Sequence, residues 1–381
     1  MTRVLFDNQP LATARHGGTA NYVAEVLTAL AEYTSIDMLI PSKRVFCLSV
    51  AGSRAGLSRR LPISPRILDR IPHSGWAERH LYRYLSPELE KHSADILHKF
   101  WYGESPLDAA PHSFLATTFY DMIPEDFPHY WSNGTPHARK AEILSRSSLI
   151  FCISNHTKNR VLAHFPHLEA RVRVTHLGIN PEIFNVRSSG ARSGIVYVGN
   201  RGVYKNWKTL AFALSELGEA TGPVSCVGGG AWTREESQLL SKLGLRRRVH
   251  MVYAGDSDLS RLLNRSLVYV STSVDEGFGL PTVEAMACGT PCASTDVGDA
   301  SAIVGKTGRI VPPRDPEALA AAIADLLEER ATPDWPARCG AARRHIAEHF
   351  SIQRMVERYR AAWNPHDSWV TVNVCREQGS K

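Results

Sequence analysis

The chain has 381 residues, of which 43% are hydrophobic and 22% charged. At roughly 150 residues per domain this predicts two or three folded domains, and it excludes wholesale disorder, collagen-like repeats and a disulfide-stapled miniprotein. The net charge of +6 is modest but unevenly placed. The stretch Lys43–Arg83 carries Lys43, Arg44, Arg54, Arg59, Arg60, Arg66, Arg70, Arg79 and Arg83 against only Asp69 and Glu78. No nucleic-acid motif accompanies these charges, so nucleic acid is not expected as a partner. A solvated basic surface is one reading; contact with an anionic membrane face or a phosphate-bearing acceptor is the other.

No window reaches the ~18–20 apolar residues of a membrane-spanning helix. The start, MTRVLFDNQPLATARHGG, lacks the apolar core of a signal peptide. Seven cysteines, an odd number scattered from Cys47 to Cys375, suggest reduced thiols. The expectation is a cytoplasmic protein.

In chain order, short apolar runs alternate with helix-length amphipathic segments. Val4–Phe6, Ile36–Ile40, Ile96–Phe100, Phe114–Phe119, Leu149–Ile153 and Val172–His176 predict one series of strands. Ile195–Val198, Val224–Val227, Val249–Val252, Val268–Thr272, Pro291–Ser294 and Gly308–Val311 predict a second. Helices are predicted at Ala20–Tyr33, Asn155–Phe165, Asn206–Glu219, Arg234–Leu243, Asp258–Asn264, Pro281–Ala287, Pro316–Glu328 and Ile352–Trp363. Strands alternating with helices imply parallel sheets covered on both faces, and two series imply two doubly wound domains. The polar stretch VRSSGARS separates them. The expected division is 1–188, 189–350 and a terminal helix and tail, 351–381. The cleft between such domains is the default ligand site.

No Walker loop, GxGxxG, HExxH or GxSxG occurs. Cys288 and Cys292 lack a matching Cys/His pair, which favours packing thiols over a zinc site. Three constellations remain. Gly17-Gly18 falls between the first strand and a long amphipathic helix, where glycines let backbone N–H groups approach an anion. In VGNRGVYKNW, Arg201 and Lys205 follow a strand that ends in glycine, and a rigid fork with a mobile point charge suits a diphosphate. In STSVDEGFGLPTVEAMACGTPC, Glu276 and Glu284 flank a Gly-Phe-Gly turn. Pro281 is expected to open a helix with Glu284 in its first turn. Carboxylates accept hydroxyl hydrogen bonds while a backbone nest meets phosphate, so this block suits a polyhydroxylated, phosphorylated ligand.

The block EGFGLPTVEAMACGTP resembles the signature of retaining GT-B glycosyltransferases of glycosyltransferase family 4. GGTANYVAEVLTAL, TTFYDMIPEDFP, FCISNHTKNRV, THLGINPEIF, YVGNRGVYKNW and GRIVPPRDPEALAAAI fall in that family's order, so the similarity covers roughly residues 1–20 and 95–350. It implies an α/β GT-B fold, with an N-terminal acceptor domain, a C-terminal domain for a nucleotide-sugar donor, and a last helix that crosses back onto the first domain. By resemblance, Glu284 binds the donor ribose and Glu276 the transferred sugar. The backbone of Phe278, Gly279 and Leu280 reaches sugar and phosphate. Gly17 and Gly18 belong to the donor-binding set. Arg201 and Lys205 neutralise the diphosphate in place of a metal, and no cofactor is required. Tyr120 and Asp121 occupy the place where the family often has His-Asp. A phenol there can donate a hydrogen bond but is a poor proton carrier at neutral pH. The Arg201-to-Lys205 spacing is shorter than in many relatives, and Ser301-Ala302 replaces a common Pro-Glu.

The activity implied is retaining, metal-independent transfer of a hexose, mannose from GDP-mannose, onto a glycan or lipid-diphosphate-linked acceptor in bacterial surface polysaccharide synthesis. A UDP-sugar donor, a non-catalytic GT-B homologue that scaffolds a partner, and an epimerase are the rivals. A GT-A enzyme would need a metal-binding Asp-x-Asp; the one such string, Asp256-Ser257-Asp258, reads instead as the start of a helix.

Overall fold

The computed structural model describes residues 4–7, the helical residues Tyr22, Val23, Val26, Leu27, Ala29 and Leu30, then 36–38, 94–102, 112–130, 139–187 and 191–363. The Gly17-Gly18 loop, the basic stretch Lys43–Arg83, the expected boundary at 188 and the tail after 363 lie outside these residues.

The first sheet contains β1 (Val4–Asp7), β2 (Ile36–Met38), β3 (Ala94–Lys99), β4 (His112–Phe119), β5 (Leu149–Cys152) and β6 (Val172–Val174), in the order β2-β1-β3-β4-β5-β6. The second contains β7 (Ile195–Val198), β8 (Val224–Val227), β9 (Val249–Val252), β10 (Val268–Ser271), β11 (Cys292–Thr295) and β12 (Arg309–Val311), in the order β12-β11-β10-β7-β8-β9. Every pairing is parallel. β5, β10 and β11 are buried along their whole length, which is why they read as continuous apolar runs rather than as alternation.

The helices are α1 (Ile123–Asp126), α2 (Lys140–Arg146), α3 (Asn155–His164), α4 (Trp207–Glu216), α5 (Arg234–Lys242), α6 (Asp256–Arg265), α7 (Leu280–Ala287), α8 (Ala300–Val304), α9 (Pro316–Glu329), α10 (Trp335–His349) and α11 (Ile352–Trp363). Their starts follow local chemistry. Ser154 caps α3 by accepting from Thr157 N, and Thr233 and Glu236 close a reciprocal capping box on α5. Asp315 accepts from Ala318 N ahead of Pro316 on α9. Trp207, Leu210 and Leu214 of α4 and Leu319, Ile323 and Leu326 of α9 are all buried. Each such side chain contributes about 1.5–3 kcal/mol.

Both sheets reverse direction beside their first strand. In the second sheet β8 and β9 extend one way from β7, and β10, β11 and β12 the other. The loops leaving β7 and β10 therefore part at the carboxyl edge, and a crevice opens there.

α11 returns to the first sheet as expected. Ile179 N donates to Phe350 O and Ile179 bridges Ser351, which carries the chain across. Trp363 then packs edge-on against Phe6, and Tyr359 against Phe151. Beneath lies a buried polar chain. Tyr22 Oη is 3.0 Å from Tyr359 Oη, which is 3.0 Å from Thr118 Oγ1, which is 2.8 Å from His98 Nε2. The His98 ring stacks on Phe6, Phe100 and Phe151, and its Nδ1 has no partner among the described residues. Burial holds its pKa down at about 3.

A depressed histidine pKa confers stability that is complete above the unfolded value of about 6.5 and is lost as pH falls towards the folded one. Between pH 7 and pH 5 the loss should reach about 2 kcal/mol. His98→Phe, which keeps the ring stack, should flatten that part of the pH dependence. Urea denaturation across this range, wild type against variant, measures it; equal slopes would remove His98 as the cause.

Candidate active site

Lys205 follows β7, and Glu276 follows β10, so they face each other across the crevice of the second sheet. Lys205 Nζ donates to Glu276 Oε1 at 2.5 Å, and each side chain is only 15% exposed. Ser273 Oγ donates to the same carboxylate oxygen at 2.6 Å. Thr272 Oγ1 donates to Lys205 O and Val274 N to Tyr204 O, which lock the two loops together. Burial alone would lower the Lys205 pKa; Glu276, with Tyr204 and the Asp121 carboxylate, outweighs it and leaves the pKa raised. Lys205 is thus a fixed cation. Asp121 acts on it from the first domain.

Arg201 is engaged by the loop after β8 and by Glu236. Its Nε donates to Glu236 Oε1 at 2.9 Å and Nη1 to Gly228 O at 2.7 Å. Its Nη2 lies within hydrogen-bond reach of the carbonyls of Gly229, Gly230 and Ala231. The guanidinium sits 4.3 Å from the Trp232 ring centre and the side chain is 3% exposed. Arg201 shapes the loop after β8. The sequence could not show this, because its partners lie 27 to 35 residues away.

Glu284 lies in the second turn of α7 rather than the first. The helix opens at Leu280, after Gly279 in the left-handed region at φ 100°, and Pro281 takes the second position. Phe278 is buried, stacked on His176 and edge-on to Phe350, so only its backbone is available to a ligand. Tyr120 closes the first-domain side. Burial, then Tyr359 and Tyr102, push its phenol well above the ordinary value, and its hydroxyl has no partner among the described residues. Asp121 Oδ1 accepts from Ile123 N, and Lys140 Nζ is held by Asp121 O and Glu125.

Sequence reasoning missed the junction between the domains. A Cβ on Gly277 would fall 2.0 Å from Tyr120 O, so the two backbones touch there. Thr157 Oγ1 lies 3.1 Å from both Tyr120 O and Gly277 O. Asp299 accepts from Asn155 N and His156 N at the start of α3, and from His176 Nε2. The hydrogen bonds from His176 and from those amides overcome its burial and lower its pKa. His156 Nε2 is 2.8 Å from Asp275 Oδ1, an ion-pair contact, and this carboxylate raises the His156 pKa against burial.

Cys152, Cys226, Cys288, Cys292 and Cys339 are unpaired, and Cys288 and Cys292 are packed in the core as expected. Among the described residues no group of three metal-ligating side chains occurs, and Asp256 and Asp258 lie in the first turn of α6 behind Gly255. Nor, among those residues, is any helix long and apolar enough to cross a membrane.

Residues 192–329, within the second domain, match the family model of the group 1 glycosyl transferases. The chain is 25% identical over 269 residues to the O-antigen chain mannosyltransferase B of Escherichia coli, covering 65% of this chain and 70% of that one. It is 29% identical over 211 residues to the MMP alpha-(1->4)-mannosyltransferase of Mycolicibacterium hassiacum, covering 54% of this chain and about half, 51%, of that one. The solved structure of Anabaena HepE in complex with UDP and glucose aligns with a TM-score of 0.70 at 14% identity, over 94% of this chain and 98% of that chain. The fold is GT-B.

Gly277→Ala should cost about 1–3 kcal/mol, because the clashing neighbour is backbone and cannot rotate away. Gly255, where a Cβ would meet open space but which caps α6, is the comparison: Gly255→Ala should cost only the loss of a glycine cap, about 0.5–1 kcal/mol. Chemical denaturation of the two variants decides whether the close approach or the mere loss of glycine matters.

Proposed function

We propose that the protein is a retaining, metal-independent hexosyltransferase that moves mannose from GDP-mannose onto a glycan or lipid-diphosphate-linked acceptor in bacterial surface polysaccharide synthesis. The observation that carries this reading is the Lys205–Glu276 pair at the crevice of the second sheet, within the domain that matches the group 1 glycosyl transferases. The similarity to two mannosyltransferases supports the sugar. Negative charge grows on the diphosphate as the glycosidic bond breaks, and a preorganised cation stabilises that change. Lys205 supplies it. Glu276 accepts hydroxyl hydrogen bonds from the transferred sugar, and Glu284 those of the ribose. The backbone of Phe278, Gly279 and Leu280 meets sugar and phosphate, and Gly17 and Gly18 belong to the donor-binding set. Tyr120 offers a neutral hydroxyl donor, and Asp121 adds negative charge on the acceptor side. A UDP-sugar is the second reading, favoured by the UDP and glucose in the HepE complex.

Nucleotide release should be measured with a panel of GDP-, UDP-, ADP- and dTDP-sugars. Glu276→Gln, Glu284→Gln and Lys205→Ala should each lower turnover by at least about 10²-fold. Lys205→Ala should also cost about 1–3 kcal/mol, because it leaves Glu276 largely buried without its partner. EDTA should leave the rate unchanged. Near wild-type turnover in the variants rejects the site, and loss in EDTA with recovery in manganese rejects the metal-independent reading. A thermal shift with UDP and none with GDP replaces mannose by the UDP-sugar.

The basic stretch Lys43–Arg83 is proposed as a peripheral contact with anionic membrane at its cytoplasmic face. Each cation there contributes on the order of 1 kcal/mol, so docking should be salt-sensitive. Co-sedimentation with anionic liposomes should exceed that with neutral ones at low salt, and fall when Arg54, Arg59, Arg60 and Arg66 are changed to Ser. Equal binding to both lipids leaves a soluble acceptor.

A further inference from the structure

The peptide that carries Glu276 is held by its own domain, through Val274 N to Tyr204 O and the close approach of Gly298 to Glu276 O, and also by the start of α3 in the other one. On one side of Glu276, Asp275 Oδ1 accepts from Glu276 N at 2.9 Å and meets His156 Nε2 at 2.8 Å. The Asp275 side chain is 8% exposed, so few waters compete for it. On the other side, Gly277 O lies 3.1 Å from Thr157 Oγ1, and the Gly277 backbone abuts that of Tyr120. His156 is itself anchored. Its N–H donates to Asp299 Oδ1 at 2.9 Å, as the preceding Asn155 N–H donates to Asp299 Oδ2. Two consecutive residues of α3 therefore grip the residues immediately before and after Glu276.

We propose that His156 is a positioning residue for the transfer reaction: through Asp275 it fixes the peptide of Glu276, so that this carboxylate stands against Lys205 only while the two domains meet at α3. The inference rests on the proposed role of Glu276 and extends it. It assigns a first-domain side chain to the donor half of the site, one that touches neither Lys205 nor Glu276 by its own side chain. Opening of the cleft separates His156 from Asp275 and Thr157 from Gly277, and leaves the Glu276 peptide to the contacts of its own domain alone. Domain closure and site assembly are then a single event, and a donor bound in the open protein does not react.

The geometry also sets what a substitute must do. A glutamine at 156 places an amide N–H where the imidazole Nε2 stands and keeps the donor to Asp275; an alanine removes it. Displacement of a reacting group by about 1 Å costs on the order of 10²-fold in rate, so His156→Ala should lose about 10- to 100-fold in kcat. The donor KM should hardly move, because the contacts that bind nucleotide lie on Lys205 and Glu284. His156→Gln should recover most of the rate. Hydrogen exchange of the peptide spanning 274–280 should quicken in His156→Ala and not in His156→Gln, read in the full chain without any sugar nucleotide.

Unchanged kcat in His156→Ala, or exchange at 274–280 equal to wild type, overturns the proposal. A uniform fall in thermal midpoint and kcat that His156→Gln does not repair also overturns it, since that is the signature of simple adhesion between domains. If wild type transfers from no donor, the proposed function fails instead, and the exchange measurement still decides whether His156 positions the Glu276 peptide.

Discussion

Where Gly277 meets Tyr120, the two sheets are brought within backbone contact, and the rest of the site follows from that approach. Only a residue without Cβ fits, because the space a methyl group would need is occupied by a carbonyl oxygen. The approach lets Thr157 reach both carbonyls at once, and it lets Asp299 and Asp275 of the second domain meet the start of α3. Acids at a helix N-terminus satisfy free N–H groups and complement the positive end of the dipole. Here Asp299 of the opposite domain takes that part, so the helix start serves as the joint.

Charge in the crevice is organised around one lysine. Two cations stand close together in the sequence, but they do different work. Arg201 has a rigid fork suited to several acceptors at fixed angles, and four backbone carbonyls with Glu236 take it up. Lys205 is a point charge on a mobile stem, and it faces the crevice beside Glu276. The raised Lys205 pKa means that burial does not switch the charge off. In a low-dielectric cleft such a charge acts more strongly than it would in water.

The last helix supplies a second joint on the opposite side. Tyr359 reaches through the first sheet's surface to Thr118 and Tyr22, and Trp363 closes over Phe6. The buried His98 beneath is kept neutral by that burial. Both joints fall on the first domain. Among the described residues the start of α3, the α11 crossover and the hydrogen bond from Arg314 Nη2 to Tyr130 Oη at 3.0 Å tie it to the second.

The sequence by itself determined where the twelve described strands fall along the chain and the two-domain plan, because strands buried on both faces leave short apolar runs that need no partner to be seen; their order within each sheet it did not. It also determined the Lys205, Glu276 and Glu284 motifs, which are local. It did not reveal α10, Trp335–His349, whose core contacts are Ala342 and Ile346 amid Arg338, Arg343, Arg344 and Gly340; so thin a stripe has no readable period. The turn that holds Glu284, the internal commitment of Arg201 and the grip of His156 on Asp275 were decided only by tertiary structure. Each depends on residues tens to more than a hundred positions apart, or on where a helix begins once Gly279 has turned the chain. Propensity and spacing describe neighbours along the chain, and these contacts are made between neighbours in space.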